Sequence, residues 1–264
     1  MATSVDLEIV LLVDDSGSVN DTEFRYQIAG IAAALRDSNV QTEINSGTYA
    51  VHKKIALAIV TFAGNAQQAK ALDWTEVNSS NADTIADTID DIWPDNSGTG
   101  ATYSRYAGQT AIGNGIQYAY QQFSGNGYTG IRKIIDLSGD GQDNNSNVDT
   151  DVAAAAAISN GIDLVNALAI GDATLLSWYQ DNILAGTGAF AVNVSTYSDI
   201  AGTFLNKLKA ESSNTYPSGA TNSTGTSYSQ GDVIDTSAQK AGGKVTVKSN
   251  GKVTIKGSGK LTVK

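Results

Sequence analysis

The 264-residue sequence contains no cysteine, a single histidine (His52), one methionine and two prolines. Without cysteine there can be no disulfide, thiolate metal site, iron–sulfur cluster or thiol nucleophile, and one histidine rules out multi-histidine zinc sites. Oxygen ligands are what remains for metal chemistry. No apolar run reaches the roughly 18 residues that a membrane-crossing helix needs. The start, Met1 to Asp6, lacks the basic, apolar and small-residue regions of a secretory signal, so an export signal is not expected within these residues. Positive charge is also scarce, with 17 basic against 27 acidic side chains and a net charge of −10. Nucleic acid and anionic membranes are therefore poor partners, because their phosphates would be repelled. A cation is the more natural one.

With 41% hydrophobic residues the chain can bury a core. The charge is uneven. Residues 1–211 hold 10 basic and 25 acidic residues, a net of −15, whereas residues 212–264 hold 7 lysines against Asp232 and Asp235, a net of +5. Residues 212–231 are rich in Ser, Thr, Asn and Gly and too poor in apolar groups to repay chain ordering, which predicts a linker. Residues 232–264 carry an eight-residue repeat: Lys244 to Lys248, Lys252 to Lys256 and Lys260 to Lys264. Each unit alternates β-branched and polar residues, and Ser-Asn-Gly or Gly-Ser-Gly separates the units, as in a small meander or the first rungs of a solenoid. Its apolar face would need cover from the body, a neighbouring subunit or further repeats. A loose basic tail is the plainer alternative.

The body alternates strands and helices. Val5 to Val13 is an apolar run of the kind buried on both faces of a sheet. Asn20 and Glu23 form a capping-box pattern ahead of Phe24, Ile28, Ile31 and Leu35 at helical spacing. Ile55 to Phe62 and Ala69 to Trp74 read as a strand pair, and Ile85, Ile89 and Ile92 as the inner face of a helix. Ala111 to Phe123, Val148 to Ser159, Leu175 to Leu184 and Ile200 to Leu208 read as further helices, with Ile131 to Leu137, Ile162 to Ile170 and Phe190 to Val194 as strands. Residues 37–52 and 94–108 read as insertions. The expectation is an α/β protein with a doubly wound, mostly parallel sheet of about six strands, plus a small C-terminal β-repeat segment. Such sheets bind ligands beyond the carboxyl ends of their strands.

Three motifs fall at strand ends. Asp14-Asp15-Ser16-Gly17-Ser18 sets a carboxylate and two hydroxyls at alternating positions, a suitable partial shell for a small hard cation. Alone, this pattern is equally a turn and helix cap. A second strand runs into Gly139-Asp140-Gly141, and Thr110 opens a helix from a separate loop. Asp140 would lie beside Asp14, and Thr110 could reach the same rim.

On these residues the chain resembles a von Willebrand factor A (vWA) domain across residues 5–211. That family's metal-ion-dependent adhesion site (MIDAS) uses DxSxS, a threonine from another loop and a strand-end aspartate. The resemblance implies a Rossmann-like vWA fold over residues 1–211 and Asp14, Ser16, Ser18, Thr110 and Asp140 as metal ligands. The segments Asp14 to Val19, Gln109 to Asn114, Ile135 to Gly141 and Asp181 to Leu184 resemble a bacterial, usually secreted vWA-like subgroup, which implies an extracellular or cell-surface setting. Two departures stand out: Asp15 adds a second acid to the motif, and Gly139 stands where the family pattern has threonine.

The implied function is divalent-cation-dependent adhesion, with Mg2+, or Mn2+ or Ca2+, completing its coordination with an acidic side chain of a protein partner. One alternative is a structural subunit of a fibre or matrix, assembled through residues 232–264. Another is a metal-assisted hydrolase with Asp15 as base. No nucleophile elbow or Walker loop is present and His52 lies in a polar stretch, so an enzyme is not expected. Residues 140–147 could form an auxiliary calcium loop or only Asx-turns. Trp74, Trp93 and Trp178 are expected in packing, and Tyr103 and Tyr106 either in partner contact or in loop packing.

Overall fold

The computed structural model describes residues 2–95 and 97–234. Six strands, β1 (Thr3–Asp14), β2 (Ile55–Phe62), β3 (Gln68–Val77), β4 (Tyr128–Gly139), β5 (Leu164–Ile170) and β6 (Ala191–Val194), form one sheet in the order β3-β2-β1-β4-β5-β6. All neighbours are parallel except β2 and β3. The long apolar runs are central because helices cover both faces, so side chains of either parity must be apolar. Leu7, Ile9, Leu11 and Val13 of β1 face one core and Val10 and Leu12 the other. The first core lies under α1 (Asp21–Arg36), α2 (Ser38–Ser46), α3 (Ala82–Asp90) and α7 (Ile200–Ser213). The second lies under α4 (Ile112–Gln121), α5 (Thr150–Ser159) and α6 (Ala173–Asn182). The doubly wound α/β fold expected from the sequence is present. No helix among the described residues is long and apolar enough to cross a membrane.

The α1 capping box forms in full: Asn20 Oδ1 accepts from the Glu23 N–H at 3.1 Å, and Glu23 accepts from the Asn20 N–H at 2.8 Å. Asn20→Ala should cost about 1 kcal/mol in urea unfolding, and a midpoint unchanged from the parent would show that the cap contributes nothing.

Two stretches behave differently from their sequence reading. The insertion at 37–52 contains α2, started by the Asp37 side chain, which accepts from the N–H groups of Asn39 and Val40, and held by buried Val40 and Ile44. The stretch expected as a linker, 212–231, begins as the last turn of α7 and then docks on the domain. Thr221 bridges Ala191 beside β6, Thr215 bridges Val233, and Tyr216, Ala220 and Ile234 are buried. The Tyr216 and Tyr228 rings stack at 3.8 Å. Tyr216, Ala220 and Tyr228 within this polar stretch, with Ile234 just after it, anchor the segment. The repeat from Lys244 to Lys264 lies outside the described residues.

α7 also carries a buried ionic group against the sheet. Lys207 Nζ lies 3.0 Å from Asp136 Oδ1 and 3.7 Å from Glu211 Oε1, and all three side chains are almost wholly enclosed. Asn166 of β5 donates to Glu211 at 2.8 Å. Arg132 of β4 donates to the Glu211 carbonyl and, at 2.9 Å, to the Asn214 side chain.

Candidate functional site

β1 and β4 are adjacent and parallel with Val13 opposite Ser138, so the residues after each strand emerge side by side. This is where the strand order reverses, since β1 leads outward to β2 on one side and β4 to β5 on the other. Asp14 and Asp140 thus reach one cup. The Asp14 carboxylate accepts from the Ser16 N–H at 2.8 Å, the Ser16 and Ser18 hydroxyls are 3.1 Å apart, and Ser18 donates to Asp140 Oδ1 at 2.7 Å. Asp14 and Ser16 are fully buried, Asp140 is half-buried and Ser18 is exposed, so the cup opens on its Ser18 and Asp140 side.

Asp14 is the unusual member. Its Oδ2 is buried without a hydrogen-bond partner. Burial pushes its carboxyl up to about 7, with the Asp140 charge adding to the effect against the hydrogen bonds from Ser16. Gly139 explains itself here. A Cβ at this position would lie 2.7 Å from Asp14 Oδ2 and 2.8 Å from the Tyr179 hydroxyl, so a side chain does not fit. The Tyr179 hydroxyl, which donates to the Gly141 carbonyl at 3.1 Å, stands close to where a residue-139 side chain would point.

Thr110 is buried on the far rim. Its N–H donates to Asn144 Oδ1 at 3.0 Å and its carbonyl accepts from the Asn144 N–H at 2.9 Å. Its hydroxyl is 3.8 Å from the point a Cβ on Gly141 would occupy, which places it beside the Asp140 loop. It makes no hydrogen bond to the other four candidates. The structure therefore joins Asp14, Ser16, Ser18 and Asp140 directly and sets Thr110 next to them. Among the described residues no cluster of three His, Asp or Glu side chains is arranged for a metal. The cup instead brings together two carboxylates and the hydroxyls of two serines and a threonine.

Other residues at this end play parts that the sequence did not announce. Gln27 of α1, wholly buried, donates to the Asp14 carbonyl at 3.0 Å and accepts from Ser138 at 2.7 Å, linking the two strand ends. Its only sequence signal is a polar residue within the apolar stripe of α1. The Tyr197 hydroxyl is buried without a partner, and burial followed by the charges of Asp140 and Asp14 holds it far above the tyrosine range. Tyr197 and Tyr26 line an open groove of ≈ 790 Å³ that Asp140 borders.

Asp15 is wholly enclosed and engaged by Arg105 Nε at 2.6 Å, the Tyr103 hydroxyl at 2.8 Å and the Tyr106 N–H at 2.7 Å. Tyr103 also accepts from Thr61 at 2.7 Å and stacks on Phe24, so it sits within the loop packing, with its hydroxyl serving Asp15. Tyr106 remains 40% exposed at the rim. In the 140–147 loop the Asp143 carboxylate accepts from the N–H groups of Gly113 and Ser146 and the hydroxyls of Ser146 and Thr150. Burial would raise this carboxyl, but these donors outweigh it and hold it below its usual range. A calcium ion would have to displace those donors, so the loop is a set of Asx-turns. The His52 side chain is exposed, and the His52 N–H donates to Asp6 at 2.7 Å.

Residues 4–216 match a family described as a protein of unknown function (DUF1194). Among curated proteins none matches the sequence. Similar solved structures include proximal thread matrix protein 1 from the mussel byssus. Its crystal form 2 aligns at 20% identity over 80% of this chain and 49% of its own, with a TM-score of 0.54. The same protein with a zinc-occupied MIDAS motif aligns at 18% identity over the same shares, with a TM-score of 0.55. A von Willebrand factor type A structure from Catenulispora acidiphila aligns at 18% identity over 80% of this chain and 43% of its own, with a TM-score of 0.47. The chain spans about half the length of the byssus protein structures it matches, and what it shares with them is the fold.

Proposed function

We propose that this chain, which belongs to the DUF1194 family and has the vWA fold, is a divalent-cation-dependent protein-binding module. The observation that carries this reading is Asp14 Oδ2, a buried carboxylate oxygen with no partner at a strand switch point, beside a second carboxylate and two hydroxyls. An unpaired buried charge is costly, and a cation is what would offset that cost.

The residues fit such an ion. Asp14, Ser16 and Ser18 would supply core ligands, and Asp140 and Thr110 would act directly or through water. Serine hydroxyls rotate freely, so Ser16 and Ser18 can turn lone pairs inward without backbone movement. When bound, the ion would supply an open positive position for a partner's carboxylate. The donor set suits Mg2+ or Mn2+, with Ca2+ as a larger alternative, and the zinc-occupied MIDAS of the byssus protein adds Zn2+ to the ions worth testing. The reading is of a binding protein rather than an enzyme because Asp15, the acid beside the motif that could serve as a base, is buried and fully engaged. An extracellular or cell-surface setting goes with it.

Thermal melts with each ion and with chelator test the reading. An ion at 100 times its Kd should stabilise by about 2.7 kcal/mol, a rise of several degrees for a domain of this size. Immobilised acidic peptides should retain the chain in magnesium and release it in chelator. No rise with any of the four ions would overturn the metal site, and retention that ignores chelator would overturn the adhesion reading.

A structural-subunit role through residues 232–264 is the second reading, favoured by the net charges of −15 over 1–211 and +5 over 212–264. Light scattering of the chain lacking residues 235–264 decides it, since an unchanged mass would remove the repeat as an assembly element.

A further inference from the structure

We propose that Arg105 is a positioning residue of the metal cup, holding the DxSxS loop in its metal-ready shape and tying to it the loop that carries Thr110. The proposal rests on the metal-binding reading above and goes beyond it, since Arg105 is not a ligand.

Arg105 is the one basic residue between Lys70 and Arg132, and it lies in the Gly-, Ser- and Tyr-rich insertion at 94–108. Its side chain is only 6% exposed. The guanidinium reaches both ends of the DxSxS loop at once: Nε to Asp15 Oδ1 at 2.6 Å, and the terminal nitrogens to the Val19 carbonyl at 2.5 Å, the Ser16 carbonyl at 3.4 Å and Asp21 Oδ1 at 2.8 Å. It lies 4.9 Å over the Phe24 ring and 6.0 Å from the Trp93 ring, so its plane is fixed from the core side as well. A planar fork with five donors can make these contacts together, whereas an ammonium cannot.

The tie extends to the second loop. The other Asp15 oxygen accepts from the Tyr103 hydroxyl and the Tyr106 N–H, the Asp15 carbonyl accepts from the Ala107 N–H at 3.1 Å, and the Gly17 N–H donates to the Gly108 carbonyl at 2.7 Å. Ala107 is held at φ 48°, a left-handed conformation that alanine adopts only under constraint. Thr110 follows two residues after Gly108. The contacts that hold Arg105 and Asp15 therefore fix, through a short span of backbone, the relative placement of the serine pair and Thr110.

A structural staple and a positioning residue differ in what they change. A staple lowers stability equally with and without the ion, whereas a positioning residue also weakens the ion's affinity. The experiment is calorimetric titration of the full chain with Mn2+ and Mg2+, alongside melts in chelator, for the parent, Arg105→Gln, Arg105→Lys and Tyr103→Phe. Arg105→Gln should raise the metal Kd by ten- to a hundred-fold, the usual range for groups that orient ligands from behind. Arg105→Lys should give little rescue. Tyr103→Phe, which keeps the ring and removes one donor from Asp15, should fold and show a smaller rise in Kd. A parent that binds with Arg105→Gln and Tyr103→Phe variants of unchanged Kd would overturn this proposal alone. A parent that binds neither ion would overturn the metal reading and this one with it. If Arg105→Gln does not fold, an unchanged Kd in Tyr103→Phe is sufficient to overturn the proposal.

Discussion

Asp14→Asn should abolish the metal-dependent rise in melting temperature and, in chelator at pH 8, leave the protein more stable than its parent. The two effects have one origin. Asp14 is buried with one oxygen unpartnered, and its folded-state carboxyl titrates at about 7 against an ordinary 3.8. Between those values the folded protein holds a proton that the unfolded chain has released, so the contribution of this group to stability without metal is full at low pH and falls as pH rises through the window. Ionising the buried group then costs about 4 kcal/mol by pH 8. Asparagine keeps the oxygen that accepts from the Ser16 N–H and carries no charge, so that loss disappears while the principal metal ligand goes with it. Urea unfolding in chelator at pH 5 and pH 8 should show the parent losing about 2–3 kcal/mol more at the higher pH than the variant, which keeps only the pH dependence of groups such as Glu211. A variant that still gains stability from magnesium, or that follows the parent's pH profile, would remove Asp14 from the role given to it.

The second large effect lies on the other face of the sheet, beneath α7. Lys207 is the cation closest to the Asp136 and Glu211 carboxylates in a space closed to water. Lys207→Met should destabilise by roughly 3–5 kcal/mol at neutral pH, because it leaves two carboxyl groups facing each other uncompensated. Burial, with the Asp136 charge behind it, pushes Glu211 up to about 8, and burial also raises Asp136. Both raised carboxyls make the folded state relatively stronger on the acid side and weaker as pH climbs toward 8. The loss in Lys207→Met should therefore shrink as pH is lowered toward 5, and adding Glu211→Gln should recover part of it. Chemical denaturation from pH 5 to 9 reads both. A loss that does not change with pH would mean that packing rather than charge holds this group together.

How much of the site was visible in the sequence depends on how far apart its partners lie along the chain. The central strands announced themselves because burial on both faces demands mostly apolar stretches, and the first helix announced its start through Asn20 and Glu23. The DxSxS pattern alone announced much less. Asp95, Ser97 and Thr99 repeat its spacing in an exposed loop, with Asp95 Oδ1 accepting from Ser97 N–H and Oγ–H and from Thr99 N–H, and Asn222, Thr224 and Thr226 do the same. These are turns that satisfy themselves. What separates Asp14 is burial and the neighbour supplied by a strand more than a hundred residues away. The contacts of Arg105 with Asp15, of Gln27 with Ser138 and of Tyr179 with Gly141 cross 90, 111 and 38 residues, and no local pattern encodes them. The docking of residues 215–234 was hidden for another reason: a few well-placed aromatic and aliphatic side chains outweigh a composition that otherwise reads as unstructured.

The anchorage of Ile234 sets how the molecule would bear load. Ile234 and Asn214 exchange hydrogen bonds through Asn214 O and Nδ2, and Asn214 is tied to Arg132, which sits opposite Leu7 in the sheet. Asp14 lies seven residues farther along β1, about 23 Å at strand spacing. A partner gripped at the cup and a tether drawn from Ile234 would pull in opposite directions along the central strand. Tension of that kind would shear the β1–β4 ladder, where many hydrogen bonds yield together, instead of peeling it apart one bond at a time.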